Sequence, residues 1–348
     1  MANDYLTILV PAVITFFVTI IGVRFIMPYF YGAGIIAEDR NKAKPLKIPS
    51  SGGLAVAFGI IVGILAYTFG GSFMIFRPLL SISRLLAVAL SIILIAMVGF
   101  LDDINVKGRR VNTTDIKDIR KGLKQWQKPL LTFLGALPLM AINAGVNYID
   151  IPFLGHVYLG IIYPLIIIPL AVIFVSNSFN LLGGFDGLQP GMGLIASLGL
   201  VIYSFFYGNY MGLLLSALLF VAIAAFLPFN AYKARIIPGD SFTYAVGGTL
   251  VAIMVIGNAE TFGMIIFIPW IIEFFLHLRR GFKVTDLGRR QKDGTFKSPY
   301  GGKIYGLTHW VMNSAKGKAT ENYVSSYLTL LEVGFVVLAL LLKVYGFL

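Results

Sequence analysis

Residues 91–110 read SIILIAMVGFLDDINVKGRR, and how they are read decides the fold. Ser91 to Leu101 are apolar or small, and Asp102 and Asp103 then stand side by side. The run belongs to an apolar stretch over 79–101, long enough to cross a bilayer core. Outward from it, similar stretches recur at 6–30, 52–69, 127–145, 160–177, 190–207, 211–227, 242–256, 261–278 and 324–346. Of the 348 residues, 57% are hydrophobic and only 13% charged, which excludes a soluble globular chain. The expected fold is therefore an all-α polytopic membrane protein with about ten transmembrane helices, one integral-membrane domain over 1–348. The first stretch has neither a basic start nor a small-residue cleavage site, so it reads as a retained helix. Cysteine is absent, which rules out disulfides and thiolate metal sites.

The net charge is +12. In a soluble chain that would point to nucleic acid; here the side of the membrane is the first question. Among the 28 Lys and Arg, the loops 31–51, 102–126, 178–189, 228–241 and 279–323 hold 23, whereas the loops on the other side hold only Arg77. Basic loops stay cytoplasmic. The first set is thus expected inside, both termini outside, and no nucleic-acid partner is expected. Within 102–126, Ile116, Ile119, Leu123 and Trp126 share one helical face, with basic residues on the others, so a surface-lying amphipathic helix is expected there.

Three polar clusters fall on that same side. The Asp102–Asp103 pair closes an inward-running helix, where it faces the negative end of the helix dipole at a cost of roughly 0.3–1 kcal/mol. Capping does not explain it. Pairing with Lys107, Arg109 and Arg110 is one reading; a metal or phosphate site is the other, since adjacent carboxylates suit Mg²⁺. The second cluster, VSNSFNLLGGFDGLQPGMG, contains no basic residue, so topology did not shape it. Asn177 and Asn180 share a face of a helix end, and Asp186-Gly187 is a turn signal. Carboxamides there could read a uracil edge or hold phosphate oxygens. The third, IIPGDSFTYAVGG, puts Asp240 where an N-cap would sit. No chain of intramembrane charges and no internal repeat is present, so a nucleotide-sugar or lipid transporter is the weaker alternative.

GFLDDINVKGRR, NSFNLLGGFDGL and IIPGDSFTYAVGG, in this order on alternate-side loops, resemble the polyprenyl-phosphate N-acetylhexosamine-1-phosphate transferases, glycosyltransferase family 4. EDRNKAKPLKIPSSGGLAVAFG, QKPLLTFLGALPL, GDSFTYAVGG and RRQKDGTFKSP resemble the dolichyl-phosphate GlcNAc-1-phosphate branch in particular. Departures are visible too. Gly183 stands where bacterial muramoyl-pentapeptide members carry Asp, Ser50 stands where eukaryotic members carry Glu, and the His-rich bacterial motif is reduced to His309.

The resemblance implies transfer of GlcNAc-1-phosphate from UDP-GlcNAc to a polyprenyl, dolichyl-type phosphate, with UMP released. That is the first membrane step of a glycan assembly such as N-glycosylation. It implies Mg²⁺ as cofactor, with Mn²⁺ as the alternative ion. Asp102, Asp103, Lys128 and Asp240 are the implied catalytic residues, with Asp240, Asn180 and Asp103 at the metal. Asn177, Asn180, Asp186, Gly187, Arg289, Arg290, Arg279, Arg280 and His309 are the implied substrate contacts. The implied setting is a cell or endoplasmic-reticulum membrane with the site facing the cytoplasm, and a homodimer is compatible. A bacterial-type enzyme using undecaprenyl phosphate or another UDP-N-acetylhexosamine is the alternative within the family.

Overall fold

The computed structural model describes residues 2–76, 79–104, 109–112, 117–120, 122–151, 155–207 and 210–348. Arg77, Lys107 and Ile116, all invoked above, lie outside them. The chain opens with α1 (Ala2–Gly32), the hairpin β1 (Ile36–Asp39) and β2 (Leu46–Pro49), α2 (Gly53–Ser72) and α3 (Ile82–Ile104). A second hairpin, β3 (Arg109–Asn112) and β4 (Lys117–Arg120), leads to α4 (Gln127–Thr132), a 3₁₀ turn and α5 (Leu137–Ala141). After the hairpin β5 (Tyr148–Ile151) and β6 (Gly155–Tyr158) come α6 (Ile168–Leu181), α7 (Leu188–Phe206), α8 (Tyr210–Asn230) and α9 (Gly239–Gly257). The chain ends with α10 (Glu260–Ile266), α11 (Ile268–Leu278), β7 (Arg289–Arg290), β8 (Phe296–Lys297), α12 (Leu307–Ser314) and α13 (Glu321–Val344).

Among the described residues, eight helices are long and apolar enough to cross a membrane, or nine if α10 and α11 form one broken span. The expected stretch over 261–278 is that broken span, bent by 59°. Pro269, in the first turn of α11, supplies no N–H to continue the ladder. The expected span over 127–145 differs more. Pro129, Gly135 and Pro138 divide it into pieces of 6, 4 and 5 residues, none long enough to cross alone. The expected amphipathic helix is not formed either. Lys117–Arg120 pairs antiparallel with Arg109–Asn112, and Gly122, at φ +114°, turns the chain away before α4.

The helices alternate in direction. Thr7 bonds to Tyr210 and Lys343 lies over Tyr203 and Tyr207, so both ends of the chain share one face of the bundle. The hairpins β1–β2 and β3–β4 lie at the other face, with the ends of α3 and α6 and the start of α9. The hub is α9, buried from Ser241 to Gly257 and packed against α2, α3, α6 and α8. Its modest polarity is tolerated because none of it meets lipid. Rings and branched chains such as Phe17, Phe25, Phe58, Leu165 and Leu330 instead point outward, as a lipid-facing belt requires.

Candidate active site

Antiparallel packing of α3 on α9 resolves the puzzle of Asp102 and Asp103. The end of α3 that repels a carboxylate lies beside the start of α9, which attracts one. The two Asp103 oxygens accept the backbone N–H groups of Asp240 (2.7 Å) and Ser241 (3.1 Å), two of the donors that α9 itself leaves unpaired. Two glycines permit the approach. A β-carbon at Gly99 would stand 2.3 Å from the Asp240 carbonyl oxygen. One at Gly239 would stand 2.4 Å from Asp103 Oδ2, and the φ of +74° there also favours glycine.

Asp240 is thereby released from capping. It sits in the first turn of α9, and its carboxylate makes no bond to its own helix start. Its Oδ2 instead takes the Lys128 ammonium at 2.9 Å and the Asn180 carboxamide at 3.0 Å. Lys128 also bonds Asp102, whose other oxygen takes the Leu123 N–H. Asn177 donates to Thr132 Oγ1 at 3.1 Å and to the Ile173 carbonyl at 2.8 Å. Asp102, Asp103, Lys128, Asn177, Asn180 and Asp240, drawn from four helices, line one cavity of about 770 Å³.

The opposite walls were less legible in the sequence. Glu38, Arg40, Lys47 and Ser50 come from β1–β2 and its exit, while Phe274, His277, Phe282 and Asp286 come from α11 and the loop after it. The available signal for the first group is the EDRNKAKPLKIPSS segment; nothing in the sequence sets His277 apart.

Several expected contacts lie elsewhere. Asp186 and Gly187 do not line the cavity. Lys42 holds Asp186 and Glu321 at 2.7 Å each and Asp39 at 2.9 Å, all nearly buried. Burial alone would lower the Lys42 pKa, but bonds to Asp186, Glu321 and Asp39 outweigh it and raise it above the ordinary lysine value. The Ala234 N–H also donates to Asp186, and the Gly187 N–H to Asn230. Arg279 and Arg280 stack on Tyr300 and Tyr305, and Arg289 and Arg290 are exposed on β7; none of the four lines the cavity. His309 is fully buried and also absent from its wall.

Comparison with known proteins adds to this geometry. Residues 85–258 match the profile of glycosyl transferase family 4. A Saccharolobus solfataricus protein, provisionally named a UDP-N-acetylglucosamine–dolichyl-phosphate N-acetylglucosaminephosphotransferase, is 33% identical over 97% of both chains. A Sulfolobus acidocaldarius protein of the same provisional name is 29% identical over 99% of this chain and 98% of its own. The phospho-N-acetylmuramoyl-pentapeptide-transferase of Clostridioides difficile is 33% identical, but over 55% of this chain and 61% of its own.

Proposed function

Because the chain belongs to glycosyl transferase family 4, we propose that it transfers GlcNAc-1-phosphate from UDP-GlcNAc to a dolichyl-type polyprenyl phosphate. The products are polyprenyl-diphosphate-GlcNAc and UMP. The carrying observation is the cavity at one end of the bundle where Asp102, Asp103, Lys128, Asn180 and Asp240 share a wall. The basic loops lie at that end, which supports a cytoplasmic site. A lipid phosphate reaches such a site from the membrane and a nucleotide sugar from water, with nothing crossing.

In the reaction, a phosphate oxygen of the lipid forms a bond to the β-phosphorus. The bond from that phosphorus to the bridging oxygen breaks, and the oxygen leaves with UMP. Such a transfer needs alignment and charge neutralisation above all. A phosphate monoester has its second pKa near about 6, so it arrives ionised and needs no strong base. Lys128 would hold a phosphate oxygen as a point charge, kept in place by Asp102 and Asp240.

The wall fits Mg²⁺. Three carboxylates face one ammonium, leaving uncompensated negative charge, and the donors are oxygens. Asp240, with Asn180 and Asp103, would hold the ion, which when bound neutralises the diphosphate and the departing phosphate. Asp103 would also fix Asp240, since each of its oxygens accepts one N–H from the start of α9 and keeps a further lone pair.

The test is direct. Purified protein with Mg²⁺, a polyprenyl phosphate and labelled UDP-GlcNAc is expected to release UMP and to form a chloroform-soluble sugar. Label carried into liposomes without UMP release would instead make it a transporter. A donor panel of UDP-GlcNAc, UDP-GalNAc and UDP-MurNAc-pentapeptide separates the dolichyl-type reading from the bacterial one.

A further inference from the structure

At the wall opposite Asp240, and running into the protein behind it, lies a second cluster that the transfer does not use. Glu273 and His277, four residues apart on α11, meet Asp286 from the loop that follows, with ligand atoms of all three within 4.8 Å of one another. His277 Nε2 is 2.9 Å from Glu273 Oε1 and 3.2 Å from Asp286 Oδ1. His309, on α12, lies next to the group across Gly306.

His309 supplies an independent observation. The residue is fully buried, and its Nε2 lies 2.9 Å from the Thr285 carbonyl oxygen. A carbonyl only accepts, so the ring proton sits on Nε2 and Nδ1 carries a lone pair. That Nδ1 is buried and has no hydrogen-bond partner. Gly306 marks the space it faces. A β-carbon there would lie 2.8 Å from Asp286 Oδ1, 2.9 Å from Glu273 Oε1 and 3.4 Å from His309 Nδ1. Two carboxylate oxygens and the unpaired His309 Nδ1 thus gather beside Gly306, where the missing side chain leaves them room to converge. Glu273 is fully buried as well, and its Oε1, although close to His277, has no aligned hydrogen bond. Converging lone pairs out of water are costly unless a cation stands among them. A proton on His277 would serve the two carboxylates and leave His309 Nδ1 orphaned.

We propose that Glu273, His277, Asp286 and His309 bind a divalent transition metal of the zinc type, which clamps α11, the loop after it and α12 together. Two imidazole nitrogens with two carboxylate oxygens suit zinc and not Mg²⁺, which prefers an all-oxygen set. Tetrahedral bonds of zinc length put donor atoms about 3.3 Å apart, close to the 2.9 and 3.2 Å that already separate His277 Nε2 from Glu273 Oε1 and Asp286 Oδ1; His309 would complete the set by a small shift of α12. The orienting partners are in place too. Thr285 fixes the His309 ring, and the Leu307 N–H holds Glu273 Oε2 at 2.6 Å. Because His277 and Asp286 also line the cavity, the clamp would set the position of that wall. This ion is separate from the one held by Asp240.

The experiment uses tag-free, full-length protein purified in detergent without chelator. Zinc is counted by elemental mass spectrometry, and Co²⁺ is titrated in after dialysis against a chelator. Expected are about one zinc per chain, visible ligand-field bands with Co²⁺, and the same zinc content in Asp240→Asn. His309→Ala and Glu273→Gln are each expected to weaken zinc binding at least about tenfold. A wild-type protein that holds no zinc and gives no Co²⁺ bands overturns the proposal, whether or not the variants fold. So does a folded His309→Ala that binds zinc as wild type does.

Discussion

At one end of the bundle, Lys128 bonds Asp102 and Asp240 beside Asp103, while Lys42 bonds Asp39, Asp186 and Glu321. Each group is three carboxylates around one ammonium. In the Lys42 group the acidic side chains are 4% to 10% exposed, and further donors engage each of them. Glu321 takes the Asp186 N–H, Asp186 takes the Ala234 N–H, and Asp39 takes the Asn41 N–H. In the Lys128 group Asp240 is 25% exposed, and all of its members line the cavity. Identical ingredients thus give a closed staple in one place and an open, substrate-facing wall in the other. Exposure to the cavity separates them; residue type and the number of donors do not, since Leu123, Asn180 and the start of α9 donate to the Lys128 group as well.

The largest effect that would break this contrast is at Asp240. Asp240→Asn keeps a hydrogen-bonding side chain but loses a charge that the transfer needs. UMP release is expected to fall at least about a hundredfold, with the unfolding midpoint nearly unchanged. Chelation by EDTA should abolish UMP release in the wild type, and added Mg²⁺ should restore it. Wild-type turnover in Asp240→Asn would move the chemistry elsewhere.

Lys42→Met should act in the opposite sense. It leaves three buried carboxylates without their cation, which costs about 3–5 kcal/mol. Turnover per folded molecule should stay within about threefold, because Lys42 does not line the cavity. Thermal unfolding and UMP release on the same sample measure both. A stable but inactive Lys42→Met would make the staple part of the site. Asp103→Asn falls between the two. A carboxamide can present only one oxygen to two backbone donors, so turnover should fall about tenfold, with weaker Mg²⁺ dependence as the accompanying sign.

Hydropathy and charge made the spans and their alternation legible, because both are properties of single segments. Pro129, Gly135 and Pro138 were equally visible, yet the apolar run over 127–145 outweighed them in a composition reading. Ile116, Ile119, Leu123 and Trp126 fitted a helical face, but pairing with residues 109–112 claimed 117–120 for a strand. The Asp102–Asp103 pair was recognised by its conflict with its own helix dipole. Only packing could show that a neighbouring helix makes the charge favourable. Asp186 looked like Asp240 by motif, and its sequestering partners, Lys42 and Glu321, lie more than a hundred residues away on either side.

The finest test concerns the cations expected to meet the nucleotide sugar. The sequence favoured Arg289 and Arg290, which the fold leaves exposed and off the cavity. Arg40 and Lys47 line it instead, carried by a hairpin whose register pairs Glu38 with Lys47. A charge-assisted bond to phosphate lost on truncation is worth roughly 1.5–3 kcal/mol. Arg40→Ala or Lys47→Ala should therefore raise the KM for UDP-GlcNAc about tenfold or more, whereas Arg289→Ala and Arg290→Ala should each change it by less than about twofold. Because these side chains sit on two hairpins at the same end of the bundle, nonspecific loss of positive charge would affect both pairs equally. Unequal effects in the stated order tie nucleotide binding to the β1–β2 wall; the reverse order would require the loop carrying β7 to fold over the cavity when substrate binds.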